Sequence, residues 1–163
     1  MASPASIAGH PIHPMLIPFP LALWFFSFVA DLVYLWRGNV VWRDWIAFYA
    51  LLAGIIGALA AAVFGIVDWL AIKDRAVKRV ADWHARLNVI ALLIFAASFY
   101  LRTTSGLRML GGSHTIPFLL SLLGVILITI SGYLGGELVF RHGVAVNPQY
   151  DTGAEARDKA RAA

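Results

Sequence analysis

The sequence predicts an all-α membrane protein, a polytopic bundle of four transmembrane helices. Of its 163 residues, 60% are hydrophobic and 13% are charged, whereas about a quarter of the residues in a soluble domain are charged. The hydrophobic residues form four blocks, each longer than the roughly 20 residues that cross the hydrocarbon core as a helix. The surplus apolar surface must therefore face lipid, and four crossings place both termini on one side of the bilayer.

Short polar breaks separate the four spans, which we expect at about 15–36, 45–72, 83–100 and 116–140. The preceding segment, 1–14, is rich in proline and histidine and lacks the basic start and cleavage site of a signal peptide. Prolines there and just after it should oppose a regular helix until about Pro20. The four-helix domain occupies 15–146, and the polar tail over 147–163 is expected to be disordered. No internal repeat is strong enough to carry an argument.

The N-terminus, the charged loop 73–82 and the C-terminus share one side of the predicted bundle, which we call the near face. The positive-inside bias makes this side cytoplasmic, and the net charge of +4 indicates no nucleic-acid partner. Its basic residues before the tail are Lys73, Arg75, Lys78, Arg79, Arg86 and Arg141, against Arg37, Arg43, Arg102 and Arg108 on the far face.

Small residues mark the faces through which the helices should pack, because they let helix backbones approach closely in a membrane. The same faces would serve as surfaces for a homo- or hetero-oligomer if the chain were a structural subunit of a larger complex. They are Gly54, Ala58, Ala61 and Gly65 in the second span, and Gly124, Ser131 and Gly135 with a Gly132/Gly136 pair in the fourth.

Polar residues in and beside the spans are the candidate functional residues, since a charge at mid-bilayer costs at least about 2.5 kcal/mol. The chain has no cysteine, which excludes disulfides, thiolate-held iron–sulfur clusters and covalently attached c-type haem. A site must therefore use imidazole, carboxylate or backbone groups. Those that topology gathers at the near face are His10, His13, His84, His142, Asp68 and Glu137.

Haem b is the first interpretation of this near-face group. His84 and His142 begin and end neighbouring antiparallel spans, so their imidazoles could bind one iron axially. His10 or His13 would be alternate ligands or form a second site. Asn88 lies one turn after His84 and could hydrogen-bond a ligand's ring nitrogen or a neighbouring backbone group.

A divalent metal ion is the second interpretation. Pro11 stiffens the His-x-x-His pair in the N-terminal segment, and carboxylates could complete a mixed nitrogen and oxygen ligand set. The ligands would be His10, His13, Asp68, Glu137 and His142.

A purely structural role is the third interpretation. Here the histidines lie at the membrane interface, Asp68 pairs with a near-face arginine, and Glu137 pairs with Arg141 at i, i+4 on the same helix. At the far face, the same reasoning predicts that Asp31 forms an ion pair with a cation rather than acting in a proton relay. The expected partners of Asp31 are Arg37, Arg108 and His114.

Several segments match a known pattern: Gly9-His10-Pro11-Ile12-His13-Pro14, Phe19-Pro20, Asp31, Gly65-Ile66-Val67-Asp68, His84 with Asn88, Gly135-Gly136-Glu137-Leu138-Val139, and His142-Gly143-Val144. In these the chain, to about Val146, resembles the bacterial membrane-protein family catalogued as domain of unknown function 2231. The resemblance implies a four-helix protein of the bacterial inner membrane, distantly similar to two-haem membrane cytochrome b proteins. Relatives are sometimes fused to Rieske-type or cytochrome-like domains, which favours electron transfer.

The leading hypothesis is therefore a haem b-binding electron-transfer protein whose electron partner is a separate redox protein or a quinone. A non-haem metal-binding or transport protein and a structural subunit are the alternatives. No serine nucleophile elbow, phosphate loop or HExxH motif appears, so the sequence does not indicate an enzyme.

Overall fold

The computed structural model describes residues 3–103 and 111–146, and its four long helices confirm the all-α, four-span class. The spans are Ile12–Arg37, Trp42–Ala71, Arg75–Arg102 and Thr115–Arg141. At 1.5 Å per residue each is about 40 Å long, which exceeds a hydrocarbon core of about 30 Å. Leucine, isoleucine and valine side chains cover their outward faces, as a lipid environment requires. The tail predicted to be disordered, 147–163, lies outside the described residues.

A small β-hairpin precedes the first span. Strands β1 (Ser6–Ile7) and β2 (His10–Pro11) pair antiparallel through a turn in which Ala8 and Gly9 have positive φ, the backbone such tight turns need. Helix α1 (Ile12–Leu16) follows at once, and α2 (Pro18–Arg37) continues it. Helical structure therefore begins before Pro20, because prolines in a first turn sacrifice no helical hydrogen bond.

The second and fourth spans each join an α-helix to a π-helical segment. In the second span, residues Trp42–Ala47 are π-helical and lead into α3 (Phe48–Ala71). In the fourth, α5 (Thr115–Gly136) leads into a π-helical end at Glu137–Arg141.

The third span, α4 (Arg75–Arg102), begins eight residues before the predicted start at 83. The carboxylate of Asp74 caps this helix by accepting the N–H groups of Ala76 at 2.7 Å and Val77 at 3.0 Å. These two hydrogen bonds lower the pKa of the Asp74 carboxyl. The expected charged loop 73–82 is thus mostly helix, since a capped helix can run beyond the bilayer with charged side chains in water.

The two halves of the chain repeat one another in space, which the sequence alone had not revealed. Residues of the first span correspond to residues 71 positions later in the third, and residues of the second to residues 70 positions later in the fourth. Ser27 donates to the carbonyl of Ala47 at 2.8 Å, and its counterpart Ser98 donates to the carbonyl of Pro117, also at 2.8 Å. Pro117 is itself the counterpart of Ala47.

Aromatic contacts show the same correspondence between residues 71 or 70 positions apart, and they locate the axis of the repeat. Phe28 packs on Phe118 with ring centroids 5.6 Å apart, and their counterparts Phe99 and Phe48 lie 4.8 Å apart. Trp24 stacks on its own counterpart, Phe95, at 4.2 Å. A contact between equivalent residues lies on a two-fold axis, and the first and third spans run in the same direction. The pseudo-two-fold axis therefore runs along the bundle, as in membrane proteins built from parallel repeats.

The small-residue stripes pack inside the chain, around this axis. A Cβ on Gly54 would lie 2.5 Å from the indole of Trp24, and one on Gly124 would lie 2.6 Å from the ring of Phe95. Both glycines therefore exist to admit an aromatic ring from a neighbouring span. These two glycines are occupied within the chain, whereas a Cβ on Gly132 would meet nothing within 4 Å, so an oligomer formed through the small-residue faces stays a prediction.

Candidate functional site

His84 is the tenth residue of the third span, and its side chain reaches across to the fourth. Its Nδ1 donates to the backbone carbonyl of Ser131 at 2.9 Å, and the amide of Asn88 donates to its Nε2 at 3.1 Å and to its backbone carbonyl at 2.9 Å. Because a carbonyl only accepts hydrogen bonds, these partners assign the proton to Nδ1 and leave the lone pair on Nε2. His84 is thus a neutral imidazole in a defined tautomer.

His13 makes the corresponding contact in the other half of the molecule. Its Nδ1 donates to the carbonyl of Ala61 in the second span at 2.8 Å, and Ala61 is the counterpart of Ser131. His13 therefore has the same tautomer as His84, with the lone pair on Nε2. Among the described residues, this Nε2 has no hydrogen-bond partner.

A glycine seats each imidazole against the helix that binds it. A Cβ on Gly65 would lie 2.7 Å from Cε1 of His13, and a Cβ on Gly135 would lie 3.1 Å from Cε1 of His84. Gly65 and Gly135 are counterparts, and each lies one turn after the residue whose carbonyl accepts the hydrogen bond from the imidazole, Ala61 or Ser131. The sequence had interpreted these glycines as general packing residues, and only the 70-residue spacing could have indicated their shared role.

The two seated histidines, which we call the histidine pair, lie at equal depth below the near face. Gly65 and Ala61 precede the end of the second span by 6 and 10 residues, and Gly135 and Ser131 precede the end of the fourth by the same numbers. Helix rise places both rings about 9–15 Å inside the near-face helix ends.

His142 and His10 lie away from the histidine pair. His142 follows the last residue of the fourth span, seven residues or about 10 Å beyond the glycine that seats His84. His10 is exposed in the hairpin, where its Nδ1 donates to the carbonyl of Ala8 at 3.0 Å. The repeat thus makes His13, and not His142, the counterpart of His84.

The near-face carboxylates serve separate contacts. Asp68 accepts a hydrogen bond from Ser3 Oγ at 2.5 Å, so its predicted ion pair with a near-face arginine is replaced by a contact with the N-terminal segment. Glu137 pairs with Arg141 at 2.6 Å, as predicted. Within residues 3–103 and 111–146, no three histidine or carboxylate side chains gather as a metal site. The five proposed metal ligands, which include His10, are therefore not assembled in one place.

At the far face, Asp31 pairs with Arg102 and not with Arg37 or His114. The guanidinium donates to both carboxylate oxygens, at 2.7 and 2.5 Å, and also to Ser98 at 3.3 Å and Ser121 at 3.1 Å. Both side chains are only 4% exposed. Another proposed partner, residue 108, lies outside the described part of the chain.

Two features of the fold explain why Arg102 is the partner of Asp31: the residue at which the third helix ends, and the position of the two-fold axis. The sequence had ended the third span at residue 100 and left Arg102 in a polar break, but the helix includes it. Arg102 is the counterpart of Asp31, so the two-fold axis sets them face to face. His114, by contrast, has a buried Nδ1 without a partner among the described residues, and burial lowers the pKa of its imidazole.

Comparison with known proteins places the chain in a family. A family model described as "predicted membrane protein", domain of unknown function 2231, matches residues 9–148. No curated protein and no solved structure matches the chain. Since the matched segment covers most of its length, the chain belongs to this family of membrane proteins.

Proposed function

We propose that this member of the 2231 family is a haem b-binding electron-transfer protein whose site lies below the near face. The observation that carries the proposal is the state of His84: a neutral imidazole with Nδ1 hydrogen-bonded to the Ser131 carbonyl. A histidine that ligates a metal characteristically donates its other ring N–H to a carbonyl or carboxylate, which fixes the ring and makes the ligating nitrogen more basic. The protein supplies that arrangement from its own backbone.

The donor set fits haem iron better than a divalent ion. Imidazole is a common axial ligand of haem iron, and no carboxylate hydrogen-bonds to His84 or His13 among the described residues. Nε2 of His84 would become the ligating atom once the amide of Asn88 leaves it. That amide keeps its hydrogen bond to the His84 backbone carbonyl, at 2.9 Å, which would hold the Asn88 side chain in place after the exchange.

A bound haem b would supply a one-electron couple within the membrane. The chain's own groups would set the conditions for it: neutral imidazoles rather than thiolate, and apolar surroundings that include Trp24 and Phe95. A low dielectric disfavours added charge, so these residues would tune the reduction potential. The electron partner would be a quinone in the bilayer or a separate redox protein, reached from a near face that positive-inside bias makes cytoplasmic.

The experiment is an optical spectrum of the full chain purified in mild detergent from haem-replete cells. We expect a Soret band, a reduced-minus-oxidised α band typical of haem b, and loss of both in His84→Ala. His10→Ala is the matched control, because His10 is exposed and its ring hydrogen-bonds to Ala8 of its own hairpin. A colourless wild-type preparation would overturn the proposal.

A further inference from the structure

The pseudo-two-fold axis passes through one column of side chains, five from each of two spans. In the first span these residues follow one another at spacings of seven, four, three and four residues along one helical face. Their counterparts in the third span lie at the same spacings. The pairs are His13 with His84, Pro20 with Ala91, Trp24 with Phe95, Ser27 with Ser98, and Asp31 with Arg102.

Two of these pairs meet on the axis. Trp24 and Phe95 stack at 4.2 Å, and Asp31 and Arg102 form a bidentate ion pair. The histidines occupy the same helical faces two to three turns nearer the cytoplasmic side. Each ring hydrogen-bonds through Nδ1 to the other span of its own half, and in an imidazole Nε2 lies on the opposite side of the ring.

From this placement we infer that His13 and His84 together coordinate a single haem iron on the pseudo-two-fold axis, one ligand from each half of the chain. The inference rests on the proposed function and names its ligands and stoichiometry. Equivalent ligands held by equivalent carbonyls and equivalent glycine seats present the same nitrogen at the same depth. Two such imidazoles could occupy both axial positions of one haem iron.

His142 does not have this placement. Its counterpart in the second span is Ile72, which has no donor atom, so the repeat supplies no partner for it. It also lies about 10 Å further along the helix than the glycine that seats His84. His142 therefore follows the near-face end of the fourth span and is not part of the ligand set.

One difference between the halves makes the two ligands distinguishable. The counterpart of Asn88 is Ile17, so the Nε2 of His84 has a hydrogen-bond donor beside it whereas the Nε2 of His13 has none. Loss of either ligand should therefore leave a different environment for a haem held by the other.

The test compares His13→Ala, His84→Ala and His142→Ala in the full chain, with haem quantified per chain and spin state read by absorption and electron paramagnetic resonance. We expect one low-spin haem per wild-type chain and in His142→Ala. His13→Ala and His84→Ala should each lose the low-spin signal, and added imidazole should restore it. Low-spin haem retained in His13→Ala, or lost in His142→Ala, would overturn the ligand assignment while leaving haem binding intact.

A second pair of variants keeps the test decisive if an alanine variant does not fold. His13→Met and His84→Met retain a ligating side chain, and exchange of histidine for methionine raises the reduction potential of a haem. We expect an upward shift of the midpoint in both, measured by redox titration. An unchanged midpoint in either variant would contradict the assignment, whereas a wild-type chain without haem would instead refute the proposed function.

Discussion

The two-fold axis relates equivalent residues at both ends of the bundle, but the side chains at the two ends differ in chemistry. At the near-face end the equivalent residues are alike, His13 and His84, and each is satisfied by its own half of the chain. At the far-face end they are unlike, Asp31 and Arg102, and each is satisfied only by the other. Like residues held apart can share a ligand, whereas unlike charges neutralise each other.

The far-face pair therefore has a structural role that the near-face pair lacks. Two identical halves would set like charges together at this point, and only a chain with different halves can place a carboxylate against a guanidinium. A buried ion pair is weak evidence for stability in itself, but it can specify which surfaces pack together. We interpret the Asp31–Arg102 pair as the contact that fixes the first half against the second.

The largest predicted effect is the loss of one partner of this pair. Arg102→Leu leaves Asp31 buried without its cation, and removal of one partner of a buried ion pair costs about 3–5 kcal/mol. We expect a large drop in the thermal unfolding temperature in detergent. The double variant Asp31→Leu with Arg102→Leu is the control and should recover most of that stability. A double variant no more stable than the single one would contradict this interpretation.

An intermediate effect is expected from filling the glycine seats at the near-face end. Gly65→Ala and Gly135→Ala would push the imidazoles away from their carbonyls, and overpacking of this kind costs about 1–3 kcal/mol. Gly65→Ala should be the more harmful, because its Cβ would lie 2.7 Å from the ring rather than 3.1 Å. Both should lower haem content and thermal stability.

Gly132→Ala is the matched control for these seats. It lies on the same helix as Gly135, but a Cβ there would have nothing within 4 Å. We expect stability equal to wild type or slightly higher, because alanine is the better helix former. Equal losses in all three variants would mean that the seats have no special relation to the imidazoles.

The smallest effect is expected from Ser131→Ala. The change removes the hydroxyl, which lies 3.0 Å from Nδ1 of His84 and donates to its backbone carbonyl at 3.2 Å, but it keeps the backbone carbonyl that holds the ring. Its counterpart, Ala61, already lacks a hydroxyl and still binds His13. We expect a loss of about 1 kcal/mol and an unchanged haem spectrum. A lost low-spin signal would indicate that the hydroxyl, not the carbonyl, positions His84.

The sequence predicted the depth of the candidate site in the bundle better than it predicted which residues pair there. The alternation of spans predicted that the near-face histidines would gather at one end, and His13 and His84 lie at the same depth there. The predicted pairing of His84 with His142 depended on a third span starting near 83, whereas the helix starts at Arg75 and carries His84 two turns deeper. The charged residues after Asp74 had suggested a loop because their pattern does not reveal that the helix is capped.

The pairing of Asp31 shows the same limit at the other end. The partners expected from the topology were Arg37, Arg108 and His114, all at the far face. The actual partner is 71 residues away, and only the packing of the first span against the third brings it close. Glu137 and Arg141 were predicted correctly because their contact is local, fixed by the rise of one helix.

The sequence by itself determined that this protein crosses the membrane four times and that its polar residues divide between two ends. Composition and helix length decide this, since lipid cannot solvate a backbone or a charge. Only the tertiary structure decided that the halves are related by a two-fold axis and that His13, not His142, is the counterpart of His84. Those facts depend on which helical faces pack together, and side-chain shape at glycine and aromatic positions sets that choice rather than hydropathy.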